Sequence, residues 1–249
     1  MNDSKVYSSL AQENQSLCRQ LAEHSFLVKL RTGNFSRDVA NFLVSEQLGY
    51  NTYFLMALTL MRRQFLEYPE FLCGFLDPHL STELGADLES VGLSQNGKTH
   101  IAMIYSLAQT LEMPINKYDQ WGEAAQIFFD QALIGLIGGK SSSKALGAAY
   151  ADEVFANVWF PEYETAFLSF SARKKLSIDL EFFNSHANEI EPAHVRHADY
   201  LIDFCLTKEF KYVEFLDGYR EFYLHLVNKF DGLEAEIDAI LSTRTKVEA

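Results

Sequence analysis

Residues 143–170 read SKALGAAYADEVFANVWFPEYETAFLSF. Leu146, Ala149, Glu153, Ala156 and Phe160 recur at steps of three and four, which is the spacing of one face of an α-helix. Glu153 stands in the middle of that apolar stripe. A carboxylate there faces the interior, and burying a charge without a partner is costly. The stretch therefore predicts a core helix and, with it, something inside the protein that answers Glu153.

The same period runs outward in both directions. It predicts helices over about residues 4–30, 36–67, 70–88, 99–112, 118–137, 143–170, 176–207 and 210–242. Ser36 before RDVANFLV and Thr99 before HIAMIYSLAQTL are N-cap residues, and Pro69 before EFLCGFL suits a first helical turn. Residues 90–98 (SVGLSQNGK) and 138–143 (GGKSSS) read as loops. Alternating strand patterns, internal repeats and a domain linker are absent, so the expectation is one all-α domain spanning 1–249.

Other stripes also carry charge. Leu72, Leu76, Leu80 and Glu83 share a face, and so do Val39, Leu43, Glu46, Tyr50, Tyr53 and Ala57. His100 precedes Met103, Leu107 and Leu111 on one face. The densest group is EFFNSHANEIEPAHVRHADY at 181–200, with His186, His194, His197, Glu189 and Glu191 framed by apolar sequence. Imidazole and carboxylate are common ligands for iron, zinc and manganese. Helical bundles build di-metal sites from glutamates and histidines that project inward from facing helices. The set Glu83, His100, Glu153, His186, Glu191 and His194 fits that description.

One spacing resists a straight helix. His186 is five residues before Glu191, about 140° around a regular α-helix. Pro192 disturbs the preceding turn. A π-bulge between Ser185 and Glu191 restores His186, Glu191 and His194 to one face; without it the face is His186, Glu189 and His197. Tyr50, Tyr53, Phe54, Tyr105, Tyr150 and Trp159 are candidate pocket walls, with Glu46 beside them.

Composition narrows the function. The chain has 249 residues, 48% hydrophobic and 22% charged, with a formal net charge of −13. An acidic surface disfavours nucleic acid and anionic membranes. Cys18, Cys73 and Cys205 form no CxxC motif, and free thiols suit a reducing cytoplasm. No membrane span is expected.

The order Glu83-Leu-Gly, His100, ALGAAYADE ending at Glu153, then His186–Glu191–His194 resembles the haem-oxygenase-like di-iron oxidases, in particular the CADD-like group related in fold to TenA and PqqC. ALGAAYADE is similar to that family's ALGALYxxE helix, whose glutamate is a metal ligand. The likeness extends over about residues 10–225. It departs in the 17-residue step from Glu83 to His100 and in the H-x4-E-x2-H spacing, where H-x3-D/E-x2-H is usual. The resemblance implies a haem-oxygenase-like helical bundle and two labile iron ions. It implies dioxygen-dependent oxidation of a small amino-acid- or fatty-acid-like substrate, with dimerisation a family tendency. Two further readings stand beside it. A cofactor-free TenA-like hydrolase needs a cysteine nucleophile, and none of the three lies beside a convincing motif. A non-enzymatic helical interaction protein would carry the site as a vestige. Haem oxygenase itself needs an axial histidine in the first helix, where His24 is available, but the carboxylate-rich interior is wrong for a haem pocket.

Overall fold

The computed structural model describes residues 3–85, 98–208 and 210–247, with the side chains of 3–5, 189, 191–193, 195–197 and 244–247 outside that description. The described residues are helical with short connections, and none forms a strand. The order is α1 (Asp3–Ala22), α2 (Ser25–Arg31), α3 (Arg37–Gln64), α4 (Pro69–Phe71), a π-helical turn (Leu72–Leu76), α5 (Asp77–Glu83), α6 (His100–Thr110), a 3-10 turn (Ile115–Lys117), α7 (Glu123–Phe128) continued as π-helix (Phe129–Ile137), α8 (Ser142–Lys174), α9 (Glu181–Ser185), a π-helical turn (His186–Ile190), α10 (Glu191–Thr207) and α11 (Tyr212–Val247).

Local chemistry sets the starts. Ser36 accepts from the Val39 N–H, Thr99 from the Ala102 N–H and Ser141 from the Lys144 N–H, each filling an orphan donor of a first turn. Pro69 and Pro78 sit in the first turns of α4 and α5. The predicted helix over 4–30 is in fact two. Its break falls at His24, which adopts an extended backbone and accepts from the Phe26 N–H to cap α2. The predicted helix at 118–137 begins at Glu123, because Gly122 turns with φ +85°. The loop predicted at 90–98 and the end of the predicted 70–88 helix fall mostly outside the described residues.

Helix α8 is the axis of the bundle. From Ala145 to Ala156 every residue is buried, as expected of a helix enclosed by others. It packs along α11, and two glycines set how closely. A Cβ on Gly147 would lie 1.8 Å from the Phe215 carbonyl oxygen, and one on Gly218 would lie 2.1 Å from that of Lys144. Helices α1, α2, α3, α9, α10 and α11 pack on α8, and α5 and α10 reach Glu153 through His79 and His194. Among the described residues, no helix is long and apolar enough to cross a membrane.

Candidate metal centre

Glu153 sits on the fully enclosed stretch of α8 and is 3% exposed. Its Oε1 lies 3.0 Å from His79 Nε2 on α5, and its Oε2 lies 3.0 Å from His194 Nδ1 on α10. The donor atoms of these three residues all lie within 4.8 Å of one another. The His79 and His194 rings face each other at 4.2 Å. Beside them, Glu83 on α5 holds His100 Nδ1 on α6 at 2.6 Å. The His100 ring is 4.3 Å from that of His186, which stacks on Phe160 at 4.4 Å.

Thus five of the six residues singled out in the sequence — Glu83, His100, Glu153, His186 and His194 — converge from five segments of the chain. The Glu191 side chain lies outside the described residues, as do those of Glu189 and His197. The helix carrying the histidines has a π-helical turn at His186–Ile190, the first of the two alternatives that the five-residue step left open. His79 escaped the sequence reading. It stands three residues after Leu76 and four before Glu83, which is stripe spacing, but the stripe was read through its neighbour Leu80. Asp152, next to Glu153, is also buried, and Tyr50 Oη donates to its Oδ1 at 2.7 Å.

The pocket-wall expectations need correction. Tyr50 lines a cavity of about 20 Å³ together with Asn51, Phe54, Ala156, Phe160, the acids Glu83, Asp152 and Glu153 and the histidines His100, His186 and His194. Glu46 points elsewhere and pairs with Lys229 at 3.0 Å. Tyr53 stacks on Phe129, Trp159 packs on Phe160, Tyr150 takes a hydrogen bond from Asn14, and Tyr105 is 43% exposed beside Tyr118. Stripe position shows that an aromatic is inward but not which neighbour it meets. The cysteines are not among the cavity's lining residues, and burial pushes the thiols of Cys18 and Cys205 up to about 11 and 12. His24 caps a helix beside Asp231.

Several features fit a metal. His186 Nδ1 lies 2.6 Å from the Phe182 carbonyl oxygen, which only accepts, so Nδ1 carries the proton and Nε2 keeps its lone pair. Metal-binding histidines are usually oriented in this way. His79 Nε2 approaches Glu153 without a directed hydrogen bond, so the two atoms lie side by side rather than donor to acceptor. Bonds of roughly 2.1 Å at right angles from one ion would place donor atoms about 3.0 Å apart.

The titration behaviour agrees. Burial raises Glu153 and Glu83, but the imidazoles beside them outweigh it and hold both below the usual carboxylate range. Burial would lower His79, but Glu153 outweighs it and the net shift is upward. Burial, and His100 beside it, push His186 well below the usual range. His194 also moves down, mainly through burial. Asp152 is raised to about 8 by burial and by the Glu153 charge.

In overall shape the chain is similar to a solved CADD-like protein of unknown function from Nostoc punctiforme. The TM-score is 0.64 over 91% of this chain and 99% of that one, at 16% sequence identity. The fold is CADD-like. No family model matches the chain, and no curated protein matches it in sequence.

Proposed function

We propose that this cluster is a di-metal centre and that the protein is an oxidase. In this reading it holds two iron ions and uses dioxygen on a small amino-acid- or fatty-acid-like substrate. The observation that carries the reading is the buried convergence of His79, Glu153 and His194 within one ligand sphere. Glu83, His100 and His186 stand directly beside it as a second donor group. The haem-oxygenase-like resemblance of ALGAAYADE and the CADD-like fold support iron and dioxygen over other metal chemistry.

Bound iron would supply one-electron chemistry with dioxygen, for which protein side chains have no equivalent. The chain's own part is positional and protonic. Glu153, with one oxygen toward each of two imidazoles, would hold the metal together with His79 and His194. The Phe182 carbonyl fixes the His186 tautomer. Asp152, raised to about 8 by burial and by the Glu153 charge against the opposing pull of the Tyr50 hydroxyl, keeps a proton at neutral pH beside the cavity. Phe54, Ala156 and Phe160 limit the cavity to about 20 Å³, room for a water or a diatomic gas. A larger substrate enters only when the walls part.

Anaerobic loading with Fe(II), followed by metal analysis and an oxygen electrode, tests the reading. About two irons per chain, with dioxygen taken up on exposure to air, are expected. No iron retained under either condition refutes it.

A further inference from the structure

Two helical routes reach the centre through π-helical turns. Leu72–Leu76 immediately precedes α5, which carries His79 and Glu83. His186–Ile190 immediately precedes α10, which carries His194. A π-turn adds one residue to the winding and is rare without something to hold it. If the first turn rewound as ordinary α-helix, α5 would rotate by about 100° relative to the segment before it. His79 would then turn away from Glu153, and Glu83 from His100. The register of that turn therefore decides whether two of the donors are in place.

One side chain from the opposite helix sits on the turn. Tyr200, six residues beyond His194 on α10, donates from its hydroxyl to the Glu70 carbonyl at 2.9 Å, at the entry to the π-turn. Its phenol end lies over Gly74, inside the turn. A Cβ on Gly74 would stand 3.1 Å from Tyr200 Oη and 3.2 Å from its Cζ, so only glycine leaves the hydroxyl room without displacement. The ring is stacked with Phe71 on one helix and Phe204 on its own, at 6.4 and 6.1 Å. Tyr200 thus ties α10 to α4 at a point set apart from the metal donors, while His194, Glu153 and His79 tie α10 to α5 at the centre.

We propose that Tyr200 is a positioning residue for the metal centre: by clamping the Glu70–Gly74 turn it holds the π-register that aims His79 and Glu83 at Glu153. The proposal rests on the metal-centre reading. It predicts that loss of one surface-side hydroxyl is felt as a change in metal affinity and coordination.

The test uses the full chain, with Co2+ and Zn2+ as probes and affinity measured by chelator competition. Tyr200→Phe removes only the hydroxyl. Gly74→Ala keeps it but crowds it by a few tenths of an ångström, and so disturbs the same contact by an independent route if the first variant folds poorly. Both should weaken binding about tenfold or more, the usual effect of losing a group that orients a ligand. Both should also alter the visible Co2+ spectrum, with the apo melting temperature nearly unchanged. Lys208→Ala, which breaks only the exposed Lys208–Glu70 side-chain pair, should bind as wild type. Unchanged affinity and spectrum in Tyr200→Phe overturn the proposal. So does weaker binding that merely tracks a fallen melting temperature with an unchanged spectrum, since that marks plain packing. A wild-type protein that binds neither ion overturns the metal-centre reading, and the clamp with it.

Discussion

Lys229→Met should be among the most destabilising single changes in this protein, and its cost should shrink in acid. Lys229 and Glu46 are each fully buried, with Nζ 3.0 Å from Oε1. The ammonium also lies 4.8–5.4 Å from the ring centres of Tyr50, Phe128, Trp159 and Phe230. Methionine replaces the stem but strands the carboxylate, which keeps only Gln47 Nε2 at 2.6 Å and the Tyr163 hydroxyl at 3.3 Å. Breaking a buried pair from one side costs about 3–5 kcal/mol. A ceiling follows from chemistry: a stranded carboxylate escapes by taking a proton from solvent. From the reference carboxylate value that costs about 4 kcal/mol at pH 7 and less at each lower pH. For a chain of this size the loss corresponds to a fall of roughly 10 °C in melting temperature. Urea denaturation at pH 7 and pH 5 measures it, with the smaller loss expected at pH 5. Lys229→Met combined with Glu46→Gln should recover most of the stability, because no charge is then left buried. A cost below about 1 kcal/mol at pH 7, or one that does not fall at pH 5, would refute the burial argument.

Glu153→Gln should remove metal uptake while the far-ultraviolet circular dichroism stays helical. Metal at a hundredfold excess over its Kd adds about 2.7 kcal/mol to a protein that binds it only when folded, so wild type should gain that increment and the variant none. The apo protein should be most stable near neutral pH and less so on both sides. His186 and His194 have lowered values, so the stability they give as neutral rings is present above about 6.5 and lost as pH falls through their folded values. His79 and Asp152 have raised values, so theirs is present in full only below about 6.5 and 3.9 and is lost as pH rises, for Asp152 through about 8. Thermal melts of metal-free protein from pH 5 to pH 9 check this, and a melting temperature that climbs steadily across that range contradicts it.

Much of the fold and part of the site could be read from local rules. Ser36, Thr99 and Pro69 mark helix starts because caps and N-terminal prolines act through neighbours two or three residues away. The π-turn at His186–Ile190 was legible because the side-chain spacing and Pro192 imposed conflicting demands on one helix. The break at His24 was not, since neither glycine nor proline announces it and the capping atom belongs to a histidine. The π-turn at Leu72–Leu76 gave no such conflict in its own sequence. What is visible there is Gly74, and the reason for it, Tyr200, lies far along the chain. Of the candidate pocket walls, Tyr50 and Phe54 line the cavity and Tyr53, Tyr105, Tyr150 and Trp159 do not, because which aromatic faces it is decided by tertiary packing.

The partners of the buried acids divide structure from chemistry. Glu46 and Glu153 both sit on apolar stripes and are equally inward in the sequence. Glu46 meets Lys229 at 3.0 Å, an ammonium that carries only donors and pairs with the carboxylate directly. Among the described residues, Glu83 and Glu153 meet only histidines, at 2.6–3.0 Å. An imidazole can give up its proton and turn the same lone pair toward an ion, whereas an ammonium cannot at neutral pH. Both glutamates are also held in the charged form, which is the form a cation requires. Asp152, raised to about 8, is the acid withheld from that role, and its proton lowers the negative charge packed beside Glu153. An interior built only for stability would have no reason to pair two ionised carboxylates with histidines from α5, α6 and α10. One built to take up cations needs that exchangeable arrangement, with a fixed Lys229–Glu46 pair beside it to carry the packing.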